Sequence, residues 1–356
     1  MGVLSRWRRQ SNPALSRAEQ LAGDGRWLEA MTILGEANRA HPDAALETEL
    51  VHIRHRAFAA LDRTAGPDAL PLVDDPFPDV YDVPPEITPA LLDAGTLRGA
   101  VQHHGSLLVR GLIPEAEVAR LRDDIDCAFA ANEAHSLAPA PDAGPWFAPL
   151  TGDGIDDGVL DFDRAIAIAQ GGLLAADSPR ALFDVLDLYR RLGILAVLTE
   201  YFGEHPTLSA RKTTLRKVHA DKFFEALDGR GADAGWHQDG AFLGAGVRTM
   251  NLWVALSECG RDAPSLDLVA RRVDRILPTG TAGAAFDWAA SSAVVDDVGA
   301  GAIVRPDFAP GDALFFDGFL VHQTGADPAM TQTRYAIESW FFAPSTYPLE
   351  WIPLVS

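Results

Sequence analysis

The triplet His237-Gln238-Asp239, answered much later in the chain by His322 and then Arg334, constrains this sequence more than any other feature. Two imidazoles and one carboxylate can hold a metal ion while leaving half of its coordination sphere open. A donor set of that kind suits non-haem Fe(II), whose vacant positions accept a co-substrate and O₂. Zinc is the rival metal. Structural zinc usually closes four ligands, often with thiolates, and the two cysteines, Cys127 and Cys259, lie far from any C-x-x-C spacing.

The spacing has a mechanical reading. Residues i and i+2 of a strand point to one face, so a strand over the triplet lets His237 and Asp239 converge while Gln238 turns away. The glycines of the segment Ala232 to Ala245 suit a short strand opening into a loop at a barrel mouth. The run Thr249 to Leu256 is a strand candidate and its expected sheet neighbour. Pro310-Gly311-Asp312 marks a turn, Ala313-Leu314-Phe315-Phe316 is an apolar strand, and His322 ends a second run, Phe319-Leu320-Val321, before Gly325 breaks it. H-x-D recurs by chance, and His219-Ala220-Asp221 is a second copy; it sits in a charged stretch that reads as a strand end entering a loop.

Trp236-His237-Gln238-Asp239-Gly240, the strand Leu252 to Leu256, and Gly311 to Phe316 through His322 resemble the phytanoyl-CoA dioxygenase family of Fe(II)/2-oxoglutarate oxygenases. Upstream, a helix, then Gly105 to Leu112, then a helix starting at Pro114 extend the likeness over about residues 87 to 345. The resemblance implies a mainly β fold: a double-stranded β-helix, or jelly-roll (cupin-like) core, flanked by helices. It implies iron held by His237, Asp239 and His322, and 2-oxoglutarate held at its far carboxylate by Arg334 with help from the hydroxyl of Thr324. A planar guanidinium binds a carboxylate in bidentate fashion, and a hydroxyl adds one hydrogen bond. The strand carrying Arg216 and Lys217 borders the co-substrate pocket in the related family, and alternation lets only one of these neighbours face inward. Two departures stand out. The stretch Ala263 to Arg272 replaces a glycine-rich turn and a Pro-Gly-Ser-His end, and the loop before Arg334 is longer than typical; Arg272 and Arg275 are nearby alternatives that read as solvent-facing.

The implied reaction consumes 2-oxoglutarate and O₂, releases succinate and CO₂, and hydroxylates an unactivated C–H bond. Asp239 argues against halogenation, since related halogenases have a small residue there. Ring closure, desaturation and epimerisation use the same iron core. Two other classes compete: a non-catalytic metal-binding jelly roll serving as an interaction scaffold, and a zinc-dependent hydrolase on the same triad.

A formal charge of -20 excludes a nucleic-acid partner and an anionic membrane surface, because like charges repel. It points instead to a polar small-molecule substrate in specialised-metabolite biosynthesis rather than a fatty acyl-CoA. No segment has the length of a membrane span, and Met1 to Arg9 lacks the apolar stretch of a secretory signal. With only two, widely separated cysteines, a reducing, cytoplasmic location is expected.

Residues 1–63 read as an N-terminal helical hairpin, a single tetratricopeptide-type unit, with Ser16 to Glu19 as a capping box and apolar stripes through Trp27, Met31 and Leu34 and through Leu46, Leu50 and Ile53. One such pair cannot bury its own apolar face. It therefore packs on the barrel, on a second copy in a homodimer, or on a partner protein. Residues 64–87 are a proline-rich connector, apolar enough at Leu72, Val73, Phe77, Val80, Tyr81 and Val83 to lie along the core, and residues 88–356 form the oxygenase domain with Thr88 capping its first helix. The stretch 135–165, with Trp146 and Phe147, is either a substrate lid or a surface loop. The chain contains only three lysines, Lys212, Lys217 and Lys222, all within one segment before the iron motif.

Overall fold

A computed structural model describes residues 12–64, 70–138, 144–152, 154–221, 235–281, 283–284 and 286–356. Met1 to Arg9, Lys222 and part of the 135–165 stretch lie outside these residues, as does the glycine-rich approach to the triplet before Gly235.

Three helices open the chain: α1 (Pro13–Gly23), α2 (Trp27–Ala40) and α3 (Ala44–Ala57). The first cap is Asn12, whose side-chain oxygen accepts from Ala14 N, so Ser16 lies inside α1 and the capping-box reading was misplaced by one turn. Asp43 caps α3 in the same way. Leu21, Leu34, Leu46, Leu50 and Ile53 form one buried cluster among these helices. The unit then docks on the rest of the chain: the Arg54 guanidinium donates to Val355 O at 2.6 Å, and Ala57 and Phe58 join a cluster with Trp340, Phe342 and Val355. Apolar stripes too small to stand alone are thus covered within the same polypeptide.

The connector does run along the core, where Leu70 and Phe77 pack on the main apolar cluster and polar contacts add to their hold. Gln102 and His103 bond the backbone of Pro71 and Val73, and His104 meets Asp75 at 2.9 Å, whereas Leu72 and Tyr81 are exposed. It leads through β1 (Glu86–Ile87) to α4 (Ala94–His104), β2 (Ser106–Val109) and α5 (Glu115–Leu137). Thr88 heads only a short 3₁₀ turn; Asp93 caps α4 instead. Next come α6 (Asp157–Ala169), β3 (Gly172–Leu174), α7 (Pro179–Arg191), α8 (Ile194–Phe202), β4 (Thr207–Ser209) and β5 (Thr214–Val218). Trp146 and Phe147 pack on Arg180 and His135, against the helices.

The remaining strands are β6 (Thr249–Ala255), β7 (Ser265–Val269), β8 (Ile303–Val304), β9 (Ala313–Phe316), β10 (His322–Gly325), β11 (Arg334–Phe342) and β12 (Pro353–Val355). They form two sheets. The larger runs β1-β2-β9-β6-β11-β4-β12, with β5 also on β11 and β3 beyond it; the smaller runs β10-β7-β8. Helices cover one face of the large sheet, where Leu107, Leu252, Ile337 and Phe341 join residues of α4, α5, α7 and α8. The opposite face, with Trp253, Ala255, Phe316 and Ala336, packs on Leu266 and Leu268 of the small sheet. That two-sheet core flanked by helices is the expected jelly-roll arrangement, and it explains why β6 is buried at every position.

Candidate metal centre

His237 lies opposite His322 in an isolated antiparallel bridge, with His237 N donating to His322 O at 2.9 Å and His322 N to His237 O at 3.0 Å. Directly opposed residues of an antiparallel pair project to the same face, which brings the two imidazole centroids to 4.3 Å. Strand geometry ends there. Asp239 has helical backbone angles at the head of a short helix, Gly240–Leu243. The carboxylate therefore arrives through a strand-to-helix turn rather than the i, i+2 alternation expected from sequence, and the sheet neighbour of His237 is β10, not β6. The next residue is closely packed: a Cβ on Gly240 would crowd Gly318 O at 3.0 Å and the tip of the Ile276 side chain at 2.7 Å. Gln238 does turn away, donating to the Arg275 and Phe319 carbonyls and accepting from Leu277 N, so it ties together two loops beside the site.

One ligand atom from each of His237, Asp239 and His322 lies within 4.8 Å of the others. His237 Nδ1 bonds Gly235 O at 2.7 Å and His322 Nδ1 bonds Leu320 O at 3.1 Å, an arrangement that places the protons on Nδ1 and leaves both Nε2 lone pairs free. Both Nε2 atoms approach Asp239 Oδ1, at 3.6 and 4.0 Å, and that buried oxygen has no hydrogen-bond partner. Burial, then His322, pushes the His237 pKa down to about 4, against the pull of Asp239. Burial also lowers that of His322 and pushes Asp239 up to about 7, the latter opposed by His237. Two neutral imidazoles and an orphaned carboxylate oxygen, closed in by protein, fit a divalent cation. His219, by contrast, is exposed and bonds Thr333.

Arg334 is 4 % exposed at the start of β11, on the face shared with Ala336, Glu338 and Trp340. Its guanidinium crosses to the small sheet, donating to Ser265 O at 3.2 Å, and its Nε has no partner. Burial, then Arg216, pushes its pKa down to about 10. Thr324 shares a face of β10 with His322. The register resolves the Arg216 and Lys217 pair: Arg216 opposes Ala336 on the inner face, whereas Lys217 opposes Tyr335 and turns to Asp126 of α5. Lys217 is thereby removed from the pocket by strand alternation. Arg216 is already matched, bonding Glu338 at 2.8 Å. Arg272 is not solvent-facing; it pairs with Asp317 at 2.7 Å beneath the Phe319 turn.

Three further residues near the site have no role assigned from the sequence, although Lys212 stands out there as one of only three lysines. Asn251 of β6 is buried beside Asp239, on which its side chain acts, and a lone amide in an apolar strand is the signal for it. Glu338, held well down at about 2, meets burial's upward push with the stronger hold of Arg216 and Trp340. Lys212, in the turn between β4 and β5, stands over Phe242, Trp340 and Trp351.

The family described as "Phytanoyl-CoA dioxygenase (PhyH)" matches residues 101–328. No curated protein matches. Among solved structures, the chain is similar to AviO1 from Streptomyces viridochromogenes Tue57, at 17 % identity and a TM-score of 0.40 over 70 % of this chain and 94 % of that one. It is similar to EctD from S. alaskensis with 2-oxoglutarate and 5-hydroxyectoine at 17 % identity and TM-score 0.44, covering 68 % and 73 %. The epimerase SnoN, in complex with Fe3+, alpha ketoglutarate and nogalamycin RO, gives 16 % identity and TM-score 0.38, covering 68 % and 80 %.

Proposed function

We propose that this chain, which belongs to the phytanoyl-CoA dioxygenase family, binds iron through His237, Asp239 and His322 and hydroxylates a C–H bond of a polar small molecule in specialised-metabolite biosynthesis. The family fixes the coarse activity: an oxygenase using iron and 2-oxoglutarate. When bound, those groups and O₂ supply an oxidant strong enough to break an unactivated C–H bond, with succinate and CO₂ as co-products. The observation that carries the assignment is the convergence of three ligand atoms within 4.8 Å, one of them a buried oxygen with no other partner.

The remaining roles belong to protein groups. The Gly235 and Leu320 carbonyls hold both imidazoles in the tautomer that leaves Nε2 free. Arg334 grips the far carboxylate of 2-oxoglutarate, assisted by Thr324; a buried guanidinium with one carbonyl bond and a free Nε is a site that an anion completes. Arg216 acts indirectly, by neutralising Glu338 beside the pocket. The division into helical unit 1–63, connector 64–87 and oxygenase domain 88–356 is part of the proposal. The burial of Leu46, Leu50 and Ile53 within the chain favours an intramolecular role for the helices over a homodimer or partner contact.

The test is succinate formation from 2-oxoglutarate with Fe(II) and O₂, alongside binding of 2-oxoglutarate to Mn(II)-loaded protein. Both are expected in the native chain and lost in His237→Ala; iron-loaded protein that neither binds nor consumes 2-oxoglutarate would leave the scaffold reading in its place. Product mass then separates outcomes that share this core. A gain of one oxygen marks hydroxylation, loss of two hydrogens marks desaturation or ring closure, and an unchanged mass marks epimerisation.

A further inference from the structure

Of the three lysines in the chain, Lys217 is paired with Asp126, and Lys222 lies outside the described residues. Lys212 is different. Its Nζ makes no hydrogen bond or ion pair with any described residue, yet it is held in place by aromatic faces: 5.3 Å from the Phe242 centroid, 5.7 Å from Trp340 and 5.3 Å from Trp351. The neighbouring Arg211 shows what a settled cation looks like here, bonding Asp163, Glu350 O and the face of Trp351. Glu338, the nearest inward acid on β11, is already occupied by Arg216, Thr214 and Trp340 Nε1.

The cage belongs to the metal site. Phe242 follows Asp239 in the short helix and stacks toward His237 at 6.3 Å, and Trp288 meets the same imidazole edge-on at 5.3 Å. One aromatic ring therefore separates the lysine from a metal ligand. Cation–π contact only partly replaces the hydration an ammonium loses, and burial lowers the Lys212 pKa from its ordinary value despite Glu338 and Asp239. Glu338, Asp239 and Asp163 act on the ammonium only through space, and none of them is in hydrogen-bond contact with it, so its donors have no bonded anion among the described residues.

We propose that Lys212 binds a carboxylate of the substrate, so that the oxygenase acts on a monoanionic acid whose apolar body lies along the half-buried rings of Phe242 and Trp351. The inference rests on the oxygenase reading and specifies its substrate class. The co-substrate is not the anion in question. Arg334 lies six residues from Trp340 on β11, roughly 20 Å of extended chain, and the cage fixes the ammonium at the Trp340 end. Glu338 and Asp239 nearby disfavour a dianion such as phosphate, whereas one ammonium matches one carboxylate.

The experiment uses the full chain loaded with Mn(II) and 2-oxoglutarate, and compares binding of 3-phenylpropanoate with that of its amide. The native protein is expected to prefer the acid by about tenfold, the scale of one charge-assisted hydrogen bond. Lys212→Met should erase that preference while retaining 2-oxoglutarate affinity and melting temperature, and Lys212→Arg should restore part of it. Equal binding of acid and amide by the native chain, or a preference that survives in Lys212→Met, overturns the assignment. Failure of 2-oxoglutarate to bind at all is a separate result, which strikes the oxygenase reading instead.

Discussion

Buried charge is handled differently in two regions of this molecule, by pairing acid with base in one and by leaving acid and base apart in the other. Where the N-terminal helices meet α7, Glu47 is fully buried with Asn38 and Arg180 on Oε1 and no partner on Oε2, Arg120 reaches Asp184 and Arg39 reaches Asp187, so each acid there has a cation within reach. Where the two sheets meet, Arg334 Nε has no partner in the protein and Asp239 Oδ1 meets no well-formed hydrogen bond. Burying a polar group without a partner costs roughly 1–3 kcal/mol. Ion pairing across the first region ties the helices to the rest of the chain, whereas the unpaired carboxylate and guanidinium of the second are the groups that the proposed function gives to iron and 2-oxoglutarate.

Substitutions can break that contrast. Asp239→Ala should reduce iron binding and succinate formation to background without lowering the melting temperature of the metal-free protein; a large loss of stability would show that Asp239 is structural. Arg180→Ala should do the reverse, costing about 3 kcal/mol of unfolding free energy by stranding Glu47, with 2-oxoglutarate affinity unchanged. Adding Glu47→Gln should recover part of the loss, which a double-mutant cycle from denaturant titrations would measure.

Arg334→Met should weaken 2-oxoglutarate binding by about 100-fold, the scale of truncating one partner of a buried charge pair, while the metal-free protein melts no lower than the native one. A parallel fall in both would move Arg334 to the structural side of the comparison. The smallest effect is expected at Asp124 on α5. Burial, then Asp184, pushes its pKa to about 7 from an ordinary 3.8. Between those values the folded chain keeps a proton that the unfolded chain releases, so stability falls as pH rises from about 4 to about 7 and levels off above. Asp124→Asn should flatten that slope and raise the melting temperature at pH 8 by a few degrees. An unchanged pH profile would mean that Arg120, at 3.5 Å, already keeps Asp124 ionised.

Much of the site was legible because its chemistry sits in short motifs. The three candidate metal ligands stand out by residue type, and Gly240 by the motif that surrounds them. Their means of convergence was not: the backbone bridge between His237 and His322 joins residues distant along the chain, and Asp239 reaches the pair through a turn whose angles the triplet does not encode. Register likewise separated Arg216 from Lys217, since alternation says that neighbours diverge but not which one faces inward. Asn251 and Glu338 were passed over because single polar residues within apolar strands stand out only once the pairing shows both faces buried.

The sequence by itself determined the donor set, the family and the strand and helix content around the core, because these depend on residue type and local period. Only the tertiary structure decided which charges go unpaired. Partnership is a matter of distance between groups far apart along the chain: it paired Arg216 with Glu338 and Lys217 with Asp126, and it left Asp239 Oδ1 and Arg334 Nε without a partner and Lys212 among aromatic rings.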